Sequence, residues 1–270
     1  MYVLNVEPPE IRAWSPPVGG IREVLHARFT DHAYPAHTHD AWTLLIVDTG
    51  AVRYMLDKHE HGTWTSQVTL LPPHVPHDGR ATSPDGFRKR VLYLDSDLLA
   101  PAAIGAAVDA PGLPDALLRR RIDQLHRALT PFTEHLEAQS RLALIRERLK
   151  DRLTRRAAPV ARRDPGVAAR LRELLDERTV EGVALDEAAT TLQAHPAHLV
   201  RAFTKAYGIP PHRYLTGRRV DLARRLLLAG RSPAEVAPEV GFYDQAHLGR
   251  HFKRMLGVGP ANYAGRRGGR

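Results

Sequence analysis

Between residues 20 and 95 the hydrophobic positions fall in short runs, alternating with polar ones or rich in β-branched side chains, over 21–29, 42–47, 52–56, 64–71 and 90–94. Turn-forming stretches such as Asp48-Thr49-Gly50 and Pro84-Asp85-Gly86 separate them. This texture predicts an all-β sandwich or small barrel. Over 114–156 the period lengthens. Leu117, Leu118, Ile122, Leu125 and Leu129 fall on one helical stripe, and Leu142, Ile145, Leu149 and Leu153 on another. Residues 157–166 have no apolar period and hold two prolines, which reads as an interdomain linker. The rest is helical in pattern. The chain thus divides into a β domain over 1–113, a helical connector over 114–156, the linker over 157–166 and an all-α domain over 167–270, a two-domain α+β architecture.

The helical domain contains an internal repeat. Sliding residues 195–214 forward by 49 positions gives eight identities in twenty, among them Ala197/Ala246, His198/His247, Leu199/Leu248, Arg201/Arg250, Phe203/Phe252, Gly208/Gly257 and Tyr214/Tyr263. Chance gives about one in twenty, so the repeat is real. Upstream, a shift of 48 pairs Ala189 with Ala237 and Leu192 with Val240, which leaves one extra residue in the second turn. Each copy reads as a short helix (185–192 and 233–240), a tight turn and a second helix, the latter starting near His195 and at Asp244, a good N-cap. Leu199 with Phe203, and Leu248 with Phe252, lie four apart and face inward. Ala197, Val200 and Arg201, with Gln245, Ala246, Gly249 and Arg250, then face outward, where a helix laid in the major groove meets base edges. Arginine can pair bidentately with guanine, glutamine with adenine, and small apolar groups can touch the thymine methyl. Residues 211–228 between the copies predict one helix of roughly 25 Å. Its Arg218 and Arg219, with Arg213, Arg224 and Arg225, are candidates for phosphate contact.

Charge sharpens this reading. The net +9 is concentrated in residues 157–270, which hold 19 Lys and Arg against 11 Asp and Glu, whereas the first 156 residues hold 20 against 19. A basic half joined to a near-neutral one points to a polyanion, here double-stranded DNA. Cysteine is absent, which excludes disulfides and thiolate metal sites. The longest apolar stretch, near 42–47, is far too short to span a membrane, and residues 1–12 do not read as a signal peptide, so the expected location is the cytoplasm.

The segment Val-Gly-Phe-Tyr-Asp-Gln-Ala-His-Leu-Gly-Arg-His-Phe-Lys-Arg-Met-Leu-Gly-Val-Gly-Pro-Ala-Asn-Tyr over 240–263 resembles the second helix-turn-helix signature of AraC/XylS-type bacterial transcription regulators. The first copy is similar but looser. The resemblance implies a DNA-binding transcription regulator that reads adjacent major-groove segments, works as a homodimer and contacts RNA polymerase. There are departures. Gln193 stands where the first turn often has glycine, which would loosen that turn. Pro238 removes one hydrogen bond from its helix. Gly249 has no side chain for readout and weakens its helix by ~1 kcal/mol relative to alanine. Arg201 and Arg250 are the strongest candidates for base contact.

The first half is similar to the cupin-like sensor domain joined to many such regulators. The residues that carry this are Tyr-Pro-Ala-His-Thr-His-Asp over 34–40 and Leu-Pro-Pro-His-Val-Pro-His over 71–77. His37 and His39 are two apart, so on a strand they share a face, and His77 could complete three imidazole ligands. Metal-binding cupins usually add a glutamate shortly after the paired histidines, and none stands here. Three readings stay open: His37, His39 and His77, with Trp42, line a small-molecule effector pocket; the histidines hydrogen-bond within the barrel; or they hold a metal. The expected cofactor set is none. The rival class is a metal-dependent cupin enzyme with an accessory helical domain, and the tandem motif argues against any enzyme. The connector stripes either pair between two copies or pack on their own barrel.

Overall fold

In the computed structural model, residues 9–263 are described apart from 31, 84, 130–134 and 155–165. The linker predicted over 157–166 therefore lies outside the described residues except for Gly166, as does the basic tail after Tyr263. The β domain is built from β1 (Glu10–Trp14), β2 (Ile21–Phe29), β3 (Tyr34–His37), β4 (Trp42–Thr49), β5 (Val52–Leu56), β6 (His59–Thr63), β7 (Val68–Leu71), β8 (His77–Ala81), β9 (Phe87–Leu94) and β10 (Gly112–Leu113), with α1 (Ala103–Asp109) before the last. They form two antiparallel sheets, ordered β1-β2-β9-β4-β7-β10 and β3-β8-β5-β6. The hairpin between β5 and β6 turns on Asp57 and Lys58, both at positive φ (44° and 71°), the twist that a two-residue connection needs.

The sequence pattern marks β2, β4, β5 and β9 closely. It overextends β7, because Trp64 lies outside the strand and is half exposed. It misses β1, β3, β6, β8 and α1, which are short or polar and carry no alternating apolar run.

Strand β4 sits between β9 and β7 and is buried from Trp42 to Val47. A side-chain period of two sends Thr43 and Leu45 into the space between the sheets and Trp42, Leu44 and Ile46 to the opposite face. That opposite face is covered by α1, α2 (Ala116–Ala128) and α3 (His135–Thr154). Leu118, Ile122, Leu125 and Leu129 of one predicted stripe and Leu142, Ile145, Leu149 and Leu153 of the other are all in this core. The connector stripes thus pack on their own sheet, and Leu117, at 40% exposure, is not part of the buried row.

Asp115 fastens the two connector helices together. It caps α2 by accepting from Leu118 N (3.0 Å), and it receives Arg148 Nε (2.9 Å) and Arg152 Nε (2.8 Å) from α3. Burial alone would raise its carboxyl, but the bonds from Arg148, Leu118 N–H and Arg152 bring it down to about 2. A depressed folded value means the stabilisation is complete above the unfolded value of about 3.9 and is lost as pH falls towards 2. Asp115→Ala should therefore cost roughly 2–4 kcal/mol at neutral pH by urea denaturation, and the gap to the parent should close between about pH 4 and 2.

The helical domain comprises α4 (Val167–Glu177), α5 (Leu185–Thr191), α6 (Pro196–Tyr207), α7 (Pro211–Leu228), α8 (Pro233–Glu239), α9 (Gln245–Leu256) and α10 (Pro260–Tyr263). Its two halves have different cores. The first motif buries Leu171, Leu175, Leu199, Phe203 and Tyr214 in a cluster of its own. The second buries Val236, Val240, Leu248, Phe252 and Tyr263 in a cluster that continues into the barrel side chains Leu25, Phe29, Tyr34, Val91 and Tyr93. The second motif and the barrel therefore share one core. Among the described residues, no helix is long and apolar enough to cross a membrane.

Candidate functional site

Two sites stand out: a pair of exposed second helices, and a cavity between the sheets that the end of α9 closes.

Helices α6 and α9 begin and end alike. His195 Nδ1 accepts from Ala197 N (3.2 Å) at the start of α6, and Asp244 Oδ1 accepts from His247 N (2.7 Å) at the start of α9. Each ends on a left-handed glycine, Gly208 (φ 71°) and Gly257 (φ 81°). Leu199, Phe203, Leu248 and Phe252 are fully buried, as the four-residue spacing requires. Arg201 and Arg250 are both exposed at equivalent positions, with Gln245 and Ala246 exposed beside Arg250. Ala197 and Gly249 are half-buried, and a Cβ added at Gly249 would meet open space.

The turns before these helices are also alike. Ala194 N bonds Ala189 O and Phe242 N bonds Ala237 O, both at 2.9 Å. The residue that allows this is Gly241 (φ 85°) in the second copy and Gln193 (φ 50°) in the first. At Gly241 a Cβ would fall 2.2 Å from Val180 O, so only glycine fits. The first turn is thus as tight as the second, contrary to expectation. Gln193 is held there in a conformation that costs a non-glycine residue roughly 1–2 kcal/mol.

Other predicted DNA-facing residues are placed differently. Val200 lines an apolar groove with Leu171, Leu175, Leu185 and Leu215, so its methyls face the domain's own helices rather than open solvent. Arg218 is turned inward, with Nε on Asp176 Oδ1 (2.9 Å) and Nη2 on Asp40 Oδ2 (3.2 Å). Arg219 donates to Thr179 O (2.8 Å) and Val180 O (2.9 Å), closing the loop before α5. Arg224 is buried outright. Of the five arginines assigned to phosphate, these three are committed inside the molecule, and exposed Arg225 donates to Asp40 (3.0 Å).

The interior arginines make the interdomain joint. Arg224 Nη2 donates to Glu23 Oε1 of β2 (2.7 Å), its Nη1 to Asp221 Oδ1 (3.1 Å) and its Nε to Tyr263 Oη (3.0 Å), while Tyr263 Oη itself donates to Glu23. The guanidinium also lies 4.1 Å from the ring centre of Tyr93. Glu23, Asp221, Arg224 and Tyr263 are all nearly inaccessible. Tyr214, the repeat partner of Tyr263, bonds Asp176 within its own motif instead (2.8 Å). The same position therefore closes the first motif and docks the second. Asp40 faces away from the cavity and gathers Arg22, Arg218 and Arg225. Burial would raise its carboxyl, but these three cations hold it far below the usual carboxylate range.

The cavity has a volume of about 50 Å³. His37, His39 and His77 line it with Tyr34, Lys89 and Tyr93, and Leu256 at the end of α9 closes it. His37 and His77 face each other across β3 and β8, and His39 lies just past the end of β3. Desolvation drives all three imidazoles well towards the neutral form. Burial, with Arg224 nearby, brings the Lys89 ammonium down to about 7. Tyr34 Oη, Thr43 Oγ1 and Thr63 Oγ1 are buried with no hydrogen-bond partner among the described residues. Trp42, a predicted pocket residue, is not in the lining. Its ring lies in the core under α2 and α3, with Nε1 donating to Ser96 O (3.2 Å).

Residues 20–146 match the family described as AraC-like ligand binding domain, and residues 188–266 match a helix-turn-helix domain family. An AraC-like transcription regulator of Streptomyces antibioticus is 31% identical over 140 residues, 50% of this chain and 45% of that protein. The two matched regions lie in the order of an AraC-like ligand binding domain followed by a helix-turn-helix domain, and the chain is similar to AraC-like transcription regulators. A Bacillus subtilis (strain 168) relative, the HTH-type transcriptional regulator YbfI, is 37% identical over 76 residues, 28% of either chain. The chain thus spans less than half the length of these two curated relatives. Among solved structures, an apo variant of ToxT from Vibrio cholerae superposes with a TM-score of 0.64 at 10% identity, covering 96% of this chain and 98% of that one. ToxT with an unsaturated fatty acid bound gives 0.58 at 11% identity, covering 95% and 94%. At these identities ToxT shares the fold, a β domain followed by a tandem helix-turn-helix domain.

Within this fold, sequence reasoning missed Glu23, Lys89, Asp221 and Tyr263 as site residues, and it assigned Arg224 to phosphate where the structure gives it Glu23. One signal was present: Asp221 is the sole acid among the 18 residues of α7, on a helix with five arginines.

Proposed function

We propose that this protein is a sequence-specific DNA-binding transcription regulator controlled by a small molecule in its N-terminal barrel. The observation that carries the DNA-reading part is the matched pair α6 and α9, each with a side-chain N-cap and a left-handed glycine at its end, and each presenting an exposed arginine at the equivalent position. Arg201 and Arg250 are the base readers, with Gln245 and Ala246 extending the second surface. The inward commitment of Val200, Arg218, Arg219 and Arg224 moves the contact surface away from α7 and onto these two helices. Hydrogen-bonded readout then leans on the second motif, where Gln245 accompanies its arginine.

Control by an effector is supported by Leu256, which belongs to a base-reading helix and lines the cavity. Pockets for drug-sized ligands measure roughly 300–1,000 Å³, so an effector must widen this one, and widening it moves the end of α9. The fatty acid bound by ToxT supports a small-molecule ligand for this fold. The protein acts in the cytoplasm and contacts RNA polymerase when bound at a promoter. With the leucine stripes of α2 and α3 already buried on their own sheet, a homodimer uses their outer faces, where Leu117 and Leu144 are exposed.

The test is binding-site selection followed by titration of the selected duplex. Arg201→Ala or Arg250→Ala should each cost ~1–3 kcal/mol, about 5- to 150-fold in Kd, and relax preference at one base pair. An equal loss on every sequence would make them phosphate contacts instead. Absence of any selected sequence would defeat the reading.

A further inference from the structure

The three cavity histidines have their proton positions set by their partners. His37 Nδ1 lies 2.7 Å from Pro35 O and His77 Nδ1 lies 3.0 Å from Val75 O, and a carbonyl oxygen only accepts. His39 Nδ1 lies 2.9 Å from Asp221 Oδ1, which also accepts from Arg224. Each ring therefore carries its hydrogen on Nδ1 and a lone pair on Nε2. Yet Nε2 of His37 and Nε2 of His39 face each other at 3.2 Å, and the three ligand atoms lie within 4.8 Å of one another. Two lone pairs at that distance repel unless something positive lies between them. A proton on one ring would place an imidazolium in a site walled from water and already beside Lys89 and Arg224. A cation bound to all three nitrogens resolves the contact without that cost. With metal–nitrogen distances of about 2.0–2.1 Å, ligand nitrogens of a tetrahedral ion stand about 3.3–3.4 Å apart, close to the 3.2 Å between His37 and His39, with the third nitrogen, from His77, within 4.8 Å of both.

We infer that His37, His39 and His77 form a binding site for one divalent transition-metal ion of the zinc type, with a carboxylate of the DNA-binding half, Asp221, as the outer partner of one ligand. Two backbone carbonyls and a carboxylate receiving the distal N–H groups are the outer arrangement that metal-bound imidazoles use. All three ligands are nitrogen, which favours zinc, cobalt, nickel, copper or ferrous iron over calcium or magnesium. The missing glutamate does not weaken the site, since three imidazoles complete a zinc set with the fourth position left open. Metal bonding makes the His39 N–H a stronger donor, so an occupied site ties β3 more firmly to α7. This site stands independently of the DNA-reading proposal, because it can be measured without DNA.

The full chain, stripped with a chelator, is titrated with Zn²⁺ by calorimetry and with Co²⁺ by absorption spectroscopy. One ion per chain is expected, with the visible bands of a four-coordinate Co²⁺ nitrogen site and a rise in Tm on adding Zn²⁺. His77→Ala should lower affinity by more than about 100-fold, and Asp221→Asn by about 10- to 100-fold with a smaller rise in Tm. His247 and His251 lie four apart on the surface of α9, so the His247→Ala/His251→Ala variant serves as control and should bind as the parent does. The absence of saturable one-to-one binding overturns the inference. So does unchanged binding by His77→Ala, or a site lost in the α9 control instead. Should His77→Ala fail to fold, the Co²⁺ spectrum of the parent still decides, because octahedral oxygen-type bands would exclude the three imidazoles.

Discussion

Replacing Arg224 by methionine should destabilise the whole chain by about 3–5 kcal/mol, because it leaves Glu23 buried without its counter-charge. The methionine fills much of the arginine's volume, so the loss reports charge rather than a hole. Arg224 joins Glu23 on β2, Asp221 on its own helix and the Tyr263 hydroxyl on α10, and the two carboxylates are almost wholly shut off from bulk water. Burial already pushes the Glu23 carboxyl above its usual range even with Arg224 present. Without the arginine it rises further, so the folded variant holds a proton that the unfolded chain releases above about pH 4.3. A raised folded value means stability is lost as pH rises, and the deficit against the parent should widen from about pH 4.3 upward. Urea denaturation across that range measures it. Combining Arg224→Met with Glu23→Gln should recover a coupling energy of at least about 1 kcal/mol. Simple additivity of the two substitutions would mean that the pair does not act as a joint. Because the barrel and the second motif share one core, the loss should appear in both halves together, by near-ultraviolet circular dichroism of barrel aromatics and by DNA affinity.

Trp42→Ala should cost about 3–5 kcal/mol and lower Tm by roughly 10 °C. The indole is wholly inaccessible, is packed among Leu44, Ile46, Leu118 and Ile122 of the sheet–helix core, and gives its N–H to Ser96 O. Below the lowered Tm, the variant should bind cavity ligands as the parent does, because Trp42 points away from the histidines. A change in ligand affinity with stability unaltered would restore Trp42 to the pocket. Thermal unfolding and ligand titration on one preparation separate these outcomes.

Trp42 shows where reading the chain reached its limit. A strand buried on both faces is a continuous apolar run, and such a run carries no mark of which side faces a cavity and which a helix. The choice depends on register, and Trp42 pairs opposite Leu94 of β9, far along the chain. Strands β3 and β8 show the converse. They are short and rich in His, Pro and Asp, so no periodicity announces them, yet their pairing brings His37 against His77.

Local chemistry determined a good deal. The 49-residue repeat, the inward Leu and Phe pairs and the cap at Asp244 are interactions within a few residues, so the tandem motifs and the exposure of Arg201 and Arg250 were legible directly. The basic balance of the second half was legible too, but its meaning was not. A count of arginines cannot distinguish one that meets phosphate from one that meets an acid almost 200 positions away. Only the tertiary structure placed Glu23 beside Arg224 and Asp40 beside Arg218, and so turned candidate phosphate contacts into a domain joint. The same holds for the histidines: the sequence offered His37, His39 and His77 as a group, while folding brought His77 against the other two from another strand and added Asp221 from the other domain. Periodicity and caps act over one or two turns of chain and are written locally. Ion pairs and ligand sets are made by whatever folding brings within about 3 Å, and that is decided by the packing of the whole.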